Sequence, residues 1–376
     1  MDFLLDLEVL GGIGRLSPGV LDILRLGTFQ LSELGGVPDY AGVSATVDLA
    51  QAVGEGRAKG LVNGVLRSLL RNGTEIARFP SFEADPAEHL STWGSHPRWL
   101  IDRWLNRHSA DEVRVRVDAA NRVPPLGFVP LGSVAEAMSA VEALGGLARP
   151  AGRGSGALWV EGLNPSTLVQ GVPGFVQDPG AALVGRYANP PAGAIVADMC
   201  AAPGGKALYV ARRAAYVVAC DPSPARLRVL KENVERSGLP IGIVCARAEA
   251  SPVAGADVVL ADVPCTGTGT LRRHPDARWR LRPEGPAELA EVQARLMHGV
   301  ARSVPCGGLL VYSTCTLEPE ENELQVLSFL DKNPDFRLEA PLGVALPDLT
   351  PEGLLSVRPE SSGFDGAFAA RLRRAG

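Results

Sequence analysis

The stretch AIVADMCAAPGGK, Ala194 to Lys206, decides the fold. Ile195 and Val196 open a β-branched apolar run that stops on Asp198, and small residues with Pro203-Gly204-Gly205 then turn the chain toward a helix beginning near Ala207. A buried parallel strand, a tight glycine turn and a helix read this way. Glycine permits close backbone approach and positive φ, and the first helical turn points unpaired N–H groups back at the bend. The pattern predicts the mouth of a cofactor site, although a glycine pair taken alone is equally an ordinary turn of an α/β protein. Tyr216, Val217 and Val218 begin a second apolar run that ends at Cys220 and Asp221. An acid at the tip of the second strand, roughly 20 residues on, is where doubly wound folds hold a ribose. A phosphate loop is not expected, because Cys200 stands where it needs glycine and Ala207 where it needs Ser or Thr.

Working outward, strands at 195–198, 216–221, 241–245, 258–262 and 308–314 alternate with helices at 207–213, 225–237, 287–303 and 320–333. That alternation predicts a mostly parallel sheet with helices on both faces and a ligand at the carboxyl ends of the strands. Upstream, Val113, Val115 and Val117 alternate with Arg114 and Arg116 as in a half-buried strand. A helix at 134–144, a Gly-rich loop at 149–156, a strand at 157–160 and a short helix at 181–187 complete a small α+β part. Residues 17–72 read as a helical bundle. Ser17-Pro18 starts it, Gly35-Gly36-Val37-Pro38 breaks it and Asn72-Gly73 closes it. Val20, Ile23, Leu24, Gly27 and Leu31 share one face; Ala58, Leu61, Val62, Val65, Leu66 and Leu69 share another. Residues 78–97 are polar and proline-punctuated, as in a linker. Trp99 and Trp104 then alternate with Arg98, Arg103 and Arg107 on an amphipathic helix, which suits either core packing or base stacking.

A chain of 376 residues holds two or three domains at roughly 100 to 200 residues each, and 46% hydrophobic residues can fill their cores. The net charge of -5 excludes a uniformly basic sleeve for nucleic acid, so any such contact must be local. Six cysteines, at 200, 220, 245, 265, 306 and 315, include no C-x-x-C pair. A reduced, cytoplasmic protein without a metal site is expected. Asp2 and Asp6 near Met1 argue against a secretory leader, and no apolar run approaches membrane-spanning length.

Two strand ends carry reactive groups into the same mouth: Asp262-Val-Pro264-Cys265-Thr-Gly-Thr-Gly269 and Thr314-Cys315-Thr316. Cys220 and Cys245 read as small buried hydrophobes. Cys265 and Cys315 sit among polar and glycine residues, where backbone dipoles favour thiolate.

The segments DMCAAPGGK (198–206), ADVPCTGTGTLRRHPDARWR (261–280) and YSTCTLEPEENE (312–323) closely resemble the Nop/Sun family of RNA cytosine-C5 methyltransferases. The likeness runs from about residue 174 to 373, through GFVQDPGAALV (174–184) and SGFDGAFAARL (362–372). ILRLGTFQLSELGGVPDYAGVSATVDLA (23–50) and GLVNGVLRSLLR (60–71) resemble the NusB-like helical domain fused to such enzymes in bacteria, which points to the RsmB-like branch acting on 16S rRNA. The resemblance implies a NusB-like RNA-binding domain in shortened form at 1–75, a linker and small α+β RNA-binding subdomain at 76–192, and a Rossmann-like catalytic domain at 193–376. It implies S-adenosylmethionine as cofactor, held by Cys200, Ala201, Ala202, Pro203, Gly204, Gly205 and Lys206, by Asp221 and by Asp262. It also implies an RNA partner and a monomeric enzyme. Two positions depart from the family. Arg247 stands where a Gly-Asp normally faces the adenine, with Glu249 nearby, and Ala181-Ala182 replaces a frequent Ser.

Cytosine C5 becomes nucleophilic only after addition at C6, so a thiolate is required. The resemblance makes Cys315 that nucleophile, gives Asp262 the stabilisation of N3 and gives Cys265 the release of the product. Arg272, Arg273, His274, Arg278, Arg280 and Arg282 around Trp279 suit phosphate contact and one stacking platform beside an extrudable base. Three other functions are weighed against rRNA methylation. A tRNA cytosine-C5 methyltransferase would share all of this chemistry. A DNA cytosine methyltransferase would use the Pro-Cys cysteine as nucleophile. An RNA-binding assembly factor without catalysis is opposed by the intact Lys206, Asp262, Cys265 and Cys315.

Overall fold

Three helices form where the apolar spacing predicts them, at Pro18–Ser32, Asp39–Ala52 and Lys59–Asn72. Val20, Ile23, Leu24, Val62, Val65 and Leu66 meet in one core, and the Ser17 hydroxyl caps the first of them by accepting from Val20 N–H at 3.3 Å. Leu5, on a helix at Asp2–Glu8 that the periodicity does not reveal, joins the same core.

The computed structural model describes all 376 residues, and the chain divides into two compact units, Met1–Val113 and Arg114–Gly376. Two expectations fail near the division. Residues 78–97 are no bare linker: Asp85 caps a helix at Pro86–Thr92, and Arg78 pairs with Glu8 at 2.6 Å, both inside the first unit. The expected strand at Val113–Val117 belongs to a helix, Ala110–Asn121. Val113, Arg116 and Val117 are buried while Val115 is exposed, which is helical and not alternating burial. The missed signal is a capping box, in which Ser109 Oγ accepts from Glu112 N–H and the Glu112 carboxylate accepts from Ser109 N–H at 2.9 Å. Trp104 is fully buried, so it packs a core and offers no face to a base.

In the second unit, β1 (Leu126–Pro130), β2 (Leu147–Pro150), β3 (Leu158–Glu161) and β4 (Gly174–Val176) form an antiparallel sheet in the order β2-β3-β1-β4. The larger sheet contains β5 (Ile195–Asp198), β6 (Tyr216–Asp221), β7 (Ile241–Cys245), β8 (Val258–Asp262), β9 (Leu309–Thr314), β10 (Phe336–Leu338), β11 (Leu355–Val357) and β12 (Ala367–Arg374). Its order is β10-β12-β9-β8-β5-β6-β7, with β11 also on β12. β5 to β9 are parallel, and β12 runs antiparallel to β9, β10 and β11. This is the Rossmann-like, mostly parallel architecture that the sequence predicts. No helix is long and apolar enough to cross a membrane.

The inner strands β5, β6, β8 and β9 are largely buried on both faces, which is why they read as apolar runs. Val196, Val217, Val258 and Val311 pack on one side, while Ala197, Cys220, Val259 and Tyr312 pack on the other. From β5 the chain moves outward through β6 and β7, then crosses back to β8 on the other flank of β5. The carboxyl end of β5 is therefore the topological switch point, where such sheets open a crevice.

β12 closes the site from behind. Gly366, just ahead of β12, donates its N–H to Gly269 O at 2.8 Å, and Gly269 donates to Cys315 O at 3.1 Å. A Cβ on Gly269 would stand 2.7 Å from Gly366 Cα, and one on Gly366 would stand 2.7 Å from Gly269 Cα. Backbone cannot yield there as a side-chain tip can. Gly269→Ala and Gly366→Ala are each expected to destabilise the protein by about 1–3 kcal/mol. Urea unfolding checks this, and an unchanged midpoint for both variants would refute the close packing.

Candidate active site

The loop after β5 is pinned by its neighbours. Met199 N–H donates to Leu260 O at 2.9 Å, Ala201 N–H to Cys220 O at 2.8 Å and Asn233 Nδ2 to Pro203 O at 3.1 Å. The Arg226 guanidinium holds Ala202 O. Gly204 takes φ +116°, a conformation L side chains rarely adopt, and Gly205 opens the helix Gly205–Ala211.

A cleft of about 660 Å³ lies against this loop, lined by Cys200, Ala201, Ala202, Pro203, Gly205 and Lys206 together with Asp198 and Asp262. Two buried acceptors on its wall, Asp198 Oδ2 and Gln177 Oε1, have no partner within the protein. Buried polar atoms are rarely left so, and these suit a ligand that donates hydrogen bonds. Burial, and then the Asp262 carboxylate, push Asp198 up to about 7. Burial also raises the Cys200 thiol, with Asp198 and Asp262 adding to it.

Lys206 reaches across the cleft to Asp262, Nζ to Oδ2 at 2.7 Å, and Ser313 donates to the other Asp262 oxygen at 2.8 Å. Burial works against the Lys206 charge, yet Asp262, Cys315 and Asp198 outweigh it and raise its pKa. Beside this pair stand the two thiols, Cys265 Sγ 3.3 Å from Cys315 Sγ, and Cys315 N–H donates to Cys265 Sγ at 3.3 Å. The thiol hydrogen bond from Cys265 lowers Cys315, against burial and with help from Lys206. That same bond, then burial, then the charges of Cys315 and Glu321, raise Cys265. Of the two, Cys315 gives up its proton the more readily.

Asp221 ends β6 as predicted but is buried, accepts from Ser223 N–H at 2.9 Å, stands 3.4 Å from the Arg226 guanidinium and does not line the cleft. Arg247 and Glu249 are exposed and lie off its wall. Cys245 is exposed rather than a buried hydrophobe. Three arginines of the loop, Arg272, Arg273 and Arg278, are tied into the fold, while Arg280 and Arg282 stay exposed. Arg272 and Arg273 both bridge Asp178 and Asp365 at 2.6–3.0 Å, and Arg278 is buried against Asn121 and Ala120 O. Arg280 pairs with Asp276 and Arg282 with Glu288. Trp279 remains 59% exposed, and exposed His274 lines the cleft. Gln177, Asp178 and Asp365 escaped notice in the sequence because isolated polar residues in GFVQDPG and SGFDG carry no spacing that marks them.

The family described as "16S rRNA methyltransferase RsmB/F" matches residues 187–373, and the NusB family matches residues 7–71. The chain is 31% identical over 384 residues to the probable ribosomal RNA small subunit methyltransferase B of Bacillus subtilis (strain 168), covering 96% of this chain and 84% of the relative. It is 34% identical over 331 residues to the ribosomal RNA small subunit methyltransferase B of Vibrio cholerae serotype O1, covering 84% and 74%. Among solved structures, PH0851 superposes with a TM-score of 0.82 and 26% identity, over 99% of this chain and 87% of that one.

The raised Asp198 has a consequence for stability. Its folded value of about 7 lies above its ordinary 3.8. Its contribution is therefore fully present below about pH 4 and lost as the pH rises through 7. Asp198→Asn keeps the shape and cannot ionise, so without added ligand it should be more stable than the parent at pH 8, by up to roughly 4 kcal/mol. That advantage should shrink as the pH falls to 4. Thermal melts across this range check it, and a pH-independent difference would show that Asp198 does not titrate there.

Proposed function

The chain belongs to the RsmB/F family of 16S rRNA methyltransferases, and from that premise we propose that it methylates C5 of a cytosine in 16S rRNA, using S-adenosylmethionine and a covalent Cys315–C6 adduct. The observation that carries this reading is the pair of sulfurs 3.3 Å apart, beside the Lys206–Asp262 pair that lines the cleft. A single nucleophile would explain one cysteine. Two in hydrogen-bond contact suit a reaction that must both form and break a carbon–sulfur bond.

The cleft suits the cofactor on the chain's own evidence. Asp198 Oδ2 and Gln177 Oε1 are buried acceptors awaiting donors, which an ammonium group provides. Cys200 to Pro203, Gly205 and Lys206 supply its wall, Gly204 gives the bend and Asp221 and Asp262 are the acids at the neighbouring strand ends. Once bound, the cofactor supplies a sulfonium methyl group. The Cys315 thiolate adds to C6, and the electron pair displaced from the C5–C6 bond makes C5 the nucleophile that takes the methyl. A proton shared between the Asp262 carboxyl and N3, with Lys206 and Ser313 holding that carboxyl in place, stabilises the negative charge that develops on the ring. A water molecule acting as base then takes the C5 proton, the C–H electron pair reforms the C5–C6 double bond and Cys315 departs as thiolate, with Cys265 assisting that release.

RNA is the partner proposed, taken in the cytoplasm as an unassembled or partly assembled 16S species, because an unpaired base is the easiest to extrude. Purified protein is to be incubated with 16S rRNA and tritiated S-adenosylmethionine, and the product mapped by bisulfite sequencing. We expect one protected cytosine, more than about 10³-fold less product from Cys315→Ala, and from Cys265→Ala a protein–RNA adduct that survives denaturing electrophoresis. Label in tRNA with none in 16S rRNA would move the substrate. Full activity in Cys315→Ala would remove the nucleophile from the mechanism.

A further inference from the structure

Behind the two thiols lies a buried polar cluster that the reaction above does not use. Glu321 is fully buried, with its carboxylate between the two cysteine loops. One oxygen accepts from Thr266 N–H and from Gln293 Nε2, both at 2.9 Å. The other accepts from the hydroxyls of Thr266 and of Thr316, the latter at 3.1 Å. Four donors fill the acceptor capacity of a carboxylate and favour its charged form, although burial raises its pKa. Gln293 also donates to Pro264 O at 3.0 Å. The residues on either side of Cys265 are therefore both held from this point.

Asn322 does the same for the other thiol. Its Oδ1 accepts from the Thr314 hydroxyl at 2.6 Å, and its Nδ2 donates to Thr316 O at 3.0 Å. Those are the neighbours of Cys315. Tyr312 fixes the hub itself by donating to Glu321 O at 2.6 Å. The Thr268 hydroxyl donates to Thr316 Oγ1 at 3.0 Å, so a hydroxyl joins the loops directly as well.

We propose that Glu321 and Asn322, with Gln293, are positioning residues that clamp the Cys265 and Cys315 loops together, and that the Glu321 charge keeps the shared proton on Cys265 so that Cys315 is the thiolate. Other bonds also join the two loops, from Gly269 N–H to Cys315 O and from Leu317 N–H to the Thr268 hydroxyl, but none of them holds the residues on both sides of each cysteine. Consecutive residues at the end of a 3₁₀ turn, Glu321 and Asn322, grip both. The carboxylate meets a neighbour of each cysteine, but it binds Thr266 through both N–H and hydroxyl and Thr316 through the hydroxyl alone, so its charge bears more on Cys265. Negative charge disfavours a thiolate at Cys265 more than at Cys315, in keeping with the raised Cys265 and lowered Cys315.

This inference rests on the reading of Cys315 as nucleophile, and its test does not depend on methyl transfer. The full-length protein is alkylated with iodoacetamide between pH 5 and 10, and the label on each cysteine is quantified by mass spectrometry, with exposed Cys245 as reference and buried Cys220 as a monitor of unfolding. In the parent, label should reach Cys315 well before Cys265 and at lower pH than Cys245. Glu321→Gln preserves size and can reverse the two hydroxyl bonds, so it removes mainly the charge. The ratio of Cys315 to Cys265 label should fall about tenfold, the effect of one pKa unit. Thr316→Val detaches the Cys315 loop from Glu321 without touching that charge and should lower the ratio severalfold. It serves as the second probe if labelling of Cys220 shows Glu321→Gln to be unfolded. A folded variant that retains the parent ratio and pH midpoint would overturn the clamp. A parent protein whose Cys315 reacts no earlier in pH than Cys245 would overturn the nucleophile assignment instead.

Discussion

A hydrogen bond between two thiols is the contact on which the arrangement of this enzyme depends. Sulfur is a weak donor and a weak acceptor, so a 3.3 Å approach cannot hold two loops by itself. It must be imposed by stronger bonds around it. Ordinary oxygen and nitrogen contacts hold Pro264, Thr266, Thr314 and Thr316, the four immediate neighbours of the cysteines. On the far side, Gly269 and Gly366 bring backbone against backbone where any side chain would pry the loops apart. The reactive atoms are thus the softest members of a rigid frame.

Much of that frame was legible in the sequence. The inner strands β5, β6, β8 and β9 are largely buried on both faces and therefore appear as apolar runs, and each site loop follows directly from the end of such a run. Asp198, Asp221, Asp262 and Thr314 mark those ends in the sequence and in the structure alike. Periodicity failed where a short segment satisfies two periods at once. Val113, Val115 and Val117 alternate, but only Val113 and Val117 are buried, and the capping pair Ser109 and Glu112 decides for the helix.

Charge was the poorest guide. A run containing Arg272, Arg273 and Arg278 looks like a phosphate-binding surface until the partners are known, and those partners lie far off in the chain. Asp178 accepts from Gly180 N–H, Asp365 N–H, Arg272 and Arg273, and so unites three segments nearly 190 residues apart. Such a cluster contributes less through net stability than through specificity, since removing any one member leaves the others charged and buried. Local sequence cannot distinguish an arginine that will meet a carboxylate from one that will meet RNA.

The electrostatics of the cleft follow from the same crowding. Asp198, Asp221 and Asp262 end three adjacent parallel strands, and Lys206 is the cation that reaches into their midst. Its bond to Asp262 leaves the more deeply buried Asp198 without a counter-charge, which is why that carboxyl holds its proton up to about 7. A cationic ligand entering beside it would reverse the balance, since positive charge favours the carboxylate and binding would then release a proton near neutral pH. The acids that make the empty cleft unfavourable are thus the ones that make it selective.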